Sequence, residues 1–173
     1  VSEVPYLVKP EVYDTLYRDE QFTKYECLLR RVKDVRGSVA DVGCGTALFY
    51  EYLLFKGLAP TRYVCLDPSE EMLEVAASKL SKRANTILVV SYAEEMPLRD
   101  LLFDLTVSIS TWGAISDKAS ALEEMLRVTK PGGTVVVTGH PRTYSVKPSD
   151  LNPKFKYYAE CIDEFYIASN DPS

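Results

Sequence analysis

The chain has 173 residues, 46% of them hydrophobic and 26% charged, with 25 acidic against 20 basic side chains for a formal net charge of −5. That length suits one domain with a two- or three-layer core, and the acidic balance argues against a protein that grips nucleic acid by bulk electrostatics, although a local basic patch could still do so. Four scattered cysteines with no CxxC pair, and a single histidine, argue against any metal centre of the zinc type.

From Pro10 to Arg36, Tyr13, Leu16 and Tyr17, then Phe22, Tyr25, Leu29 and Val32, recur at three- and four-residue steps, which predicts amphipathic helix in two pieces. Arg30, Arg31, Lys33 and Arg36 fall at its end, where cations suit the negative pole of a helix; a polyanion contact is the alternative. Gly37 stops the helix and Ser38 to Val42 form a first strand. Ala47 to Phe55 read as the next helix and Arg62 to Leu66 as a second strand. Ser69 can cap a third helix, with Glu70 and Glu71 in its first turn and Lys79, Lys82 and Arg83 in its last.

Thr86 to Val90 and Phe103 to Ile109 give two more strands. Asp117 or Ser116 can cap a helix that runs through Thr129. Lys130-Pro131-Gly132-Gly133 reads as a turn before the strand Thr134 to Thr138. Strands alternating with helices predict βαβ units and a parallel sheet covered on both faces. The tail alternates at Phe155, Tyr157, Ala159 and Cys161 and resumes an apolar pattern at Phe165 to Ser169, which predicts a terminal hairpin; Leu151 to Ile162 is also compatible with helix. Cys44 and Cys65, in apolar strand or turn contexts, read as small buried hydrophobes. With no apolar run of membrane-spanning length and no signal-peptide pattern, a reducing, cytoplasmic setting is expected.

The stretch Val39 to Phe49 reads as strand, glycine turn, helix. In an open parallel sheet, ligands bind beyond the carboxyl ends of the strands where the order reverses. A dinucleotide site wants G-x-G-x-x-G, but Gly43 and Gly45 are followed by Leu48 where the third glycine belongs. Asp41, just before the turn, would set negative charge beside a pyrophosphate and suits a cationic group better. Asp67, ending the second strand, has the position and chemistry to accept both hydroxyls of a ribose. Together they describe a nucleoside without phosphates that carries a positive group, as S-adenosylmethionine does.

VADVGCGTALF, VCLDPSEEML, AEEMP followed by FDLTVS, and LRVTKPGGTVVVTG resemble the successive motifs of class I S-adenosylmethionine-dependent methyltransferases, most closely the ubiquinone/menaquinone-biosynthesis-like, type 11 branch. The resemblance spans about residues 38 to 139. It implies an α/β, three-layer Rossmann-like fold with a mostly parallel seven-stranded sheet of order 3-2-1-4-5-7-6, the last strand antiparallel. Residues 1–36 would form a helical lid including Tyr13 and Tyr17, 38–139 the cofactor core, and 140–173 the C-terminal segment of a single domain. The cofactor, leaving as S-adenosylhomocysteine, would meet Tyr17, Asp41, Gly43, Cys44, Gly45, Asp67, Pro68, Met72, Tyr92, Ala93, Glu94 and Ser108. One departure stands out: Ser91-Tyr92 replaces the Gly-Asp that often precedes Ala-Glu-Glu, so the aspartate expected at the adenine amino group is absent.

Methyl transfer from a sulfonium needs positioning first, and a base only when the acceptor must lose a proton. The candidates near the acceptor are His140 as a base, Trp112 as a pocket wall, and Tyr144; each also has a plain structural reading as loop or sheet-edge packing. The expected function is methyl transfer by in-line displacement to an unidentified small molecule or an exposed group of a macromolecule. A body this small would need a lid, a homodimer partner or a large substrate to complete its pocket. A non-catalytic S-adenosylmethionine-binding or scaffold subunit is the alternative.

Overall fold

A computed structural model describes residues 8–33 and 35–171; the first seven residues of the expected lid, position 34 and the last two residues lie outside the described residues. The element order is α1 (Pro10–Arg31), β1 (Ser38–Val42), α2 (Leu48–Phe55), β2 (Arg62–Asp67), α3 (Glu70–Leu80), β3 (Thr86–Val90), β4 (Phe103–Ser108), α4 (Lys118–Val128), β5 (Thr129–Gly139), β6 (Lys156–Cys161) and β7 (Asp163–Ser169). One seven-stranded sheet has the order β3-β2-β1-β4-β5-β7-β6, as expected. β1 to β5 pair in parallel and β7 runs antiparallel to β5.

Side chains alternate across the sheet with the two-residue period of a strand. Val39, Tyr63, Cys65, Leu105 and Val107 face α1, α2 and α3. Ala40, Val42, Val64, Leu66, Val135 and Val137 face α4 and the segments before β6. Both faces are therefore covered, and the polar ligand site is confined to the strand ends.

Predicted caps are present. Ser69 accepts a hydrogen bond from the Met72 amide at 3.2 Å, and Asp117 from the Ser120 amide at 3.1 Å. α3 ends at Leu80, so only Lys79 of the expected basic trio lies in its last turn. The Lys130–Gly133 turn is a bulge within β5: Phe103 pairs with Thr129, and the register then jumps to Leu105 with Thr134. The tail is the predicted hairpin, turned at Ile162 with φ of 65°.

Two expectations are corrected. α1 is one 22-residue helix rather than two pieces, because the inward positions between Tyr17 and Tyr25 are occupied by polar Gln21 and Lys24, both buried. The apolar rhythm lapses there while the backbone continues. Cys44 and Cys65, expected as separate buried thiols, form a disulfide with a Cα–Cα distance of 5.3 Å. β1 and β2 are sheet neighbours, and the amides of Gly43 and Cys44 both donate to the Leu66 carbonyl. The turn thus folds back over the end of β2 and brings together cysteines 21 residues apart.

Candidate cofactor and acceptor site

β1 and β4 are neighbours in the sheet although β2 and β3 intervene in sequence, so the chain leaves their carboxyl ends in opposite directions and opens a crevice. Gly43 and Gly45 floor it at φ of 75° and 55°, the left-handed region that disfavours side chains. A Cβ at Gly43 would also lie 2.4 Å from the Thr111 side chain. Glycine is required there because the β4 loop closes directly onto the turn.

Asp67 is buried at the rim. Its carboxylate accepts from the Gly45 amide at 2.9 Å and the Ser69 amide at 2.8 Å. Burial raises its pKa while these two amides pull it down. Asp41 is 4% exposed and accepts from the Tyr63 hydroxyl. Burial pushes its pKa up to about 7; the Tyr63 bond opposes this and the charge of Asp67 adds to it.

An acid held above its unfolded value of about 3.8 stays protonated in the fold while the unfolded chain ionises, so it costs stability as pH rises from about 4 to about 7 and adds no further loss above that. Asp41→Asn should remove about 4 kcal/mol of that fall, measured as the difference between the two proteins' urea-unfolding free energies across the window. Equal slopes would mean that Asp41 ionises normally in the fold.

Four cavities line up along the strand ends. One of about 320 Å³ is walled by Gly43, Asp67, Pro68, Ser91, Tyr92, Ala93, Glu94 and the 111–116 loop. A narrow space of about 100 Å³ continues past Met72, Ile109 and Ser110 to Tyr13. Another of about 30 Å³ touches Asp41, Cys44, Gly45 and Tyr13. The fourth, about 250 Å³, opens beyond Tyr13 between α1 and the loops after β4 and β5, with Tyr17, Gln21, Trp112, His140 and Tyr144 among its walls.

Eleven of the twelve residues expected around the cofactor therefore border this row, with Tyr17 on the fourth cavity rather than on the first three. Ser108 does not: it is buried as the last residue of β4, and Ile109, Ser110 and Thr111 line the space instead. Tyr92 is 69% exposed at the mouth. Glu94 is engaged by the Ser116 amide at 2.8 Å and the Asp117 amide at 3.3 Å, which anchors the opposite wall.

At the fourth cavity, His140 Nδ1 accepts from the amides of Arg142 at 3.2 Å and Thr143 at 3.3 Å. With Nδ1 accepting, the neutral form of the ring carries its proton on Nε2, where it can act as a donor. Trp112 both borders the cavity and packs in the core, 2% exposed. Tyr144 lies against Gly113, where a Cβ would come within 2.3 Å of its ring, so the β5 loop rests on the β4 loop.

A polar cluster in the wall of this cavity is assembled from residues far apart in sequence. Lys24 Nζ lies 2.9 Å from Ser110 Oγ, 2.9 Å from Glu20 and 3.1 Å from Asp163 Oδ1. Asp163 Oδ2 accepts from Ser110 Oγ at 2.8 Å and Thr138 Oγ1 at 2.7 Å. α1, the end of β4, β5 and β7 meet in this cluster. At the other end of α1, Asp14 bonds Thr46 of the glycine turn and pairs with Lys79, while Arg18 reaches Glu51 at 3.3 Å. α1 is thereby pinned over the cavity row at two places. Among the described residues no group of side chains could hold a metal ion.

The sheet order, the glycine turn and the paired aspartates at adjacent strand ends define the class I S-adenosylmethionine-dependent methyltransferase architecture. The family model described as a methyltransferase domain matches residues 40–137, and the chain belongs to that type 11 family. Over 130 residues it is 38% identical to a demethylmenaquinone methyltransferase of Staphylococcus aureus, covering 72% of this chain and 54% of that protein. The chain thus spans about half the length of the curated relatives it matches.

Among solved structures, an assigned S-adenosyl-L-methionine-dependent methyltransferase of Methanococcus maripaludis superposes with a TM-score of 0.81 at 17% identity, over 95% of this chain and 91% of that one. A structure of the Haloferax volcanii Trm112 methyltransferase activator in complex with a methyltransferase matches with a TM-score of 0.66 at 24% identity, over 73% of this chain and 56% of that one.

Proposed function

We propose that the protein transfers a methyl group from S-adenosylmethionine, by in-line displacement, to an acceptor held in the 250 Å³ cavity under α1. The observation that carries this is a row of cavities with shared walls, the first two meeting at Gly43, Asp67 and Thr111 and the narrow one meeting the acceptor cavity at Tyr13 and Ser110. In this reading Asp67 holds the ribose, Asp41 faces the ammonium end, and Tyr92 with the backbone around Ala93 borders the adenine. The cofactor supplies the electrophilic methyl. The chain aligns it with the acceptor.

Tyr13, Tyr17, Trp112 and Tyr144 give the acceptor cavity aromatic walls suited to a flat ring. Such a ring occurs in the substrate named for the Staphylococcus aureus relative. His140 Nε2–H would donate to a ring oxygen. A homodimer, or a protein partner of the kind bound to the Haloferax volcanii methyltransferase, would complete the open side. The acidic net charge favours a small-molecule acceptor over nucleic acid.

Isothermal titration with S-adenosylmethionine and S-adenosylhomocysteine, followed by transfer of labelled methyl in a lysate with the product sized before and after nuclease and protease, tests the reading. Binding of neither nucleoside would overturn it. Binding without transfer to any acceptor would favour a non-catalytic scaffold that keeps the cofactor site.

No described helix is long and apolar enough to cross a membrane, and a cytoplasmic location is part of this reading. The Cys44–Cys65 bridge pulls the other way, because cytosolic disulfides are uncommon outside hyperthermophiles. Alkylation at cell lysis followed by mass spectrometry should find Cys44 and Cys65 unlabelled; labelling of both would show that the bridge is open in the cell.

A further inference from the structure

Cys27 and Cys161 are far apart in sequence, and the structure packs Cys161 against the core cluster that contains Cys27. Cys27 is buried on the inner side of α1, and Cys161, partly exposed, ends β6. Cys161 Sγ also donates to the Thr23 carbonyl at 3.8 Å. Thr23 and Cys27 are one helical turn apart and share a helix face. Within a few residues of both cysteines, the Lys24–Asp163 ion pair already fixes the register of the helix against the hairpin.

We propose that Cys27 and Cys161 are a reversible disulfide site, which, when oxidised, clamps α1 to the β6–β7 hairpin. The oxidant is a small disulfide of the glutathione type. The more exposed Cys161 thiolate attacks it, releasing one thiol and forming a mixed disulfide; Cys27 then displaces the second thiol. Two protons and two electrons leave the protein, and one small disulfide becomes two thiols. Burial, and after it the neighbouring Cys161 thiol, push the Cys27 thiol up to about 12, so it follows rather than leads.

The consequence follows from what α1 carries. Tyr13 borders both the narrow cofactor spaces and the acceptor cavity, and Tyr17, Gln21 and Lys24 line the latter. A helix tied to the hairpin cannot lift from these cavities, so ligand exchange slows. That step rests on the cofactor reading proposed above; the cross-link does not.

The test uses the full chain incubated with glutathione disulfide, alkylated, and mapped without reduction, beside Cys27→Ser and Cys161→Ser. The expected results are a cross-linked peptide pair containing Cys27 and Cys161, and a melting temperature raised by roughly 10 °C over either variant treated alike. S-adenosylhomocysteine should also dissociate at least about tenfold more slowly from the oxidised protein. Recovery of both cysteines as separate alkylated or glutathione-capped residues would overturn the site. A cross-link with unchanged dissociation would overturn the clamp. A cross-link with raised melting temperature in protein that binds no S-adenosylhomocysteine before or after oxidation supports the site and rejects the cofactor reading instead.

Discussion

Asp67→Ala should weaken S-adenosylmethionine binding by at least about 100-fold. The Asp67 side chain is buried at the cavity wall, and each oxygen already accepts one backbone amide, from Gly45 and Ser69, which leaves each with further capacity to accept. Two ribose hydroxyls donating to it would form charge-assisted bonds of about 1.5–3 kcal/mol each, so losing both removes about 3–6 kcal/mol. Alanine also frees the Gly45 amide and loosens the turn proposed to lie beneath the methionyl group. Asp67→Asn keeps the shape and one acceptor oxygen and should lose only about tenfold. Titration calorimetry with S-adenosylmethionine and S-adenosylhomocysteine, on variants whose melting curves remain cooperative, gives the measurement. An alanine variant that binds within threefold of the parent would move the ribose away from Asp67.

What could be read in the sequence is what local chemistry determines. β1 and β3 end where turn residues end them, Ser69 and Asp117 cap the helices they precede, and the Gly43–Gly45 turn with Asp41 and Asp67 lies where two strand ends meet a crevice. The sheet order came from family resemblance, since no local pattern says that β4 rather than β3 adjoins β1. Contacts across the fold were hidden. Cys44 and Cys65 become neighbours only because β2 lies beside β1. Ser108 misses the cavity because it is still buried in the last position of β4, and the lining begins at Ile109 just beyond the strand. Gln21 and Lys24 looked like a gap between two helices, although a polar residue at an inward helical position is itself a signal that something polar waits opposite. Here that partner is Asp163, the first residue of the most distant strand in sequence.

That pairing has the largest expected effect on stability. The Lys24 and Asp163 side chains are 3% and 1% exposed, and the ion pair joins the first helix of the fold to the last strand. Lys24→Met keeps most of the apolar stem but leaves the Asp163 carboxylate inside the protein with only Ser110 and Thr138 as donors. Breaking a buried pair from one side costs about 3–5 kcal/mol, chiefly from the stranded charge. The melting temperature should therefore fall by roughly 10 °C.

Removing both charges in Lys24→Met/Asp163→Leu should recover more than half of that loss, because no ion remains buried. Recovery would be incomplete, since Ser110 Oγ and Thr138 Oγ1 lose their shared acceptor. Denaturant titrations of the two single variants and the double variant close the cycle. If the single losses simply add in the double variant, the two residues are not energetically coupled, and α1 is held over the acceptor cavity mainly by Asp14, Arg18 and its apolar face.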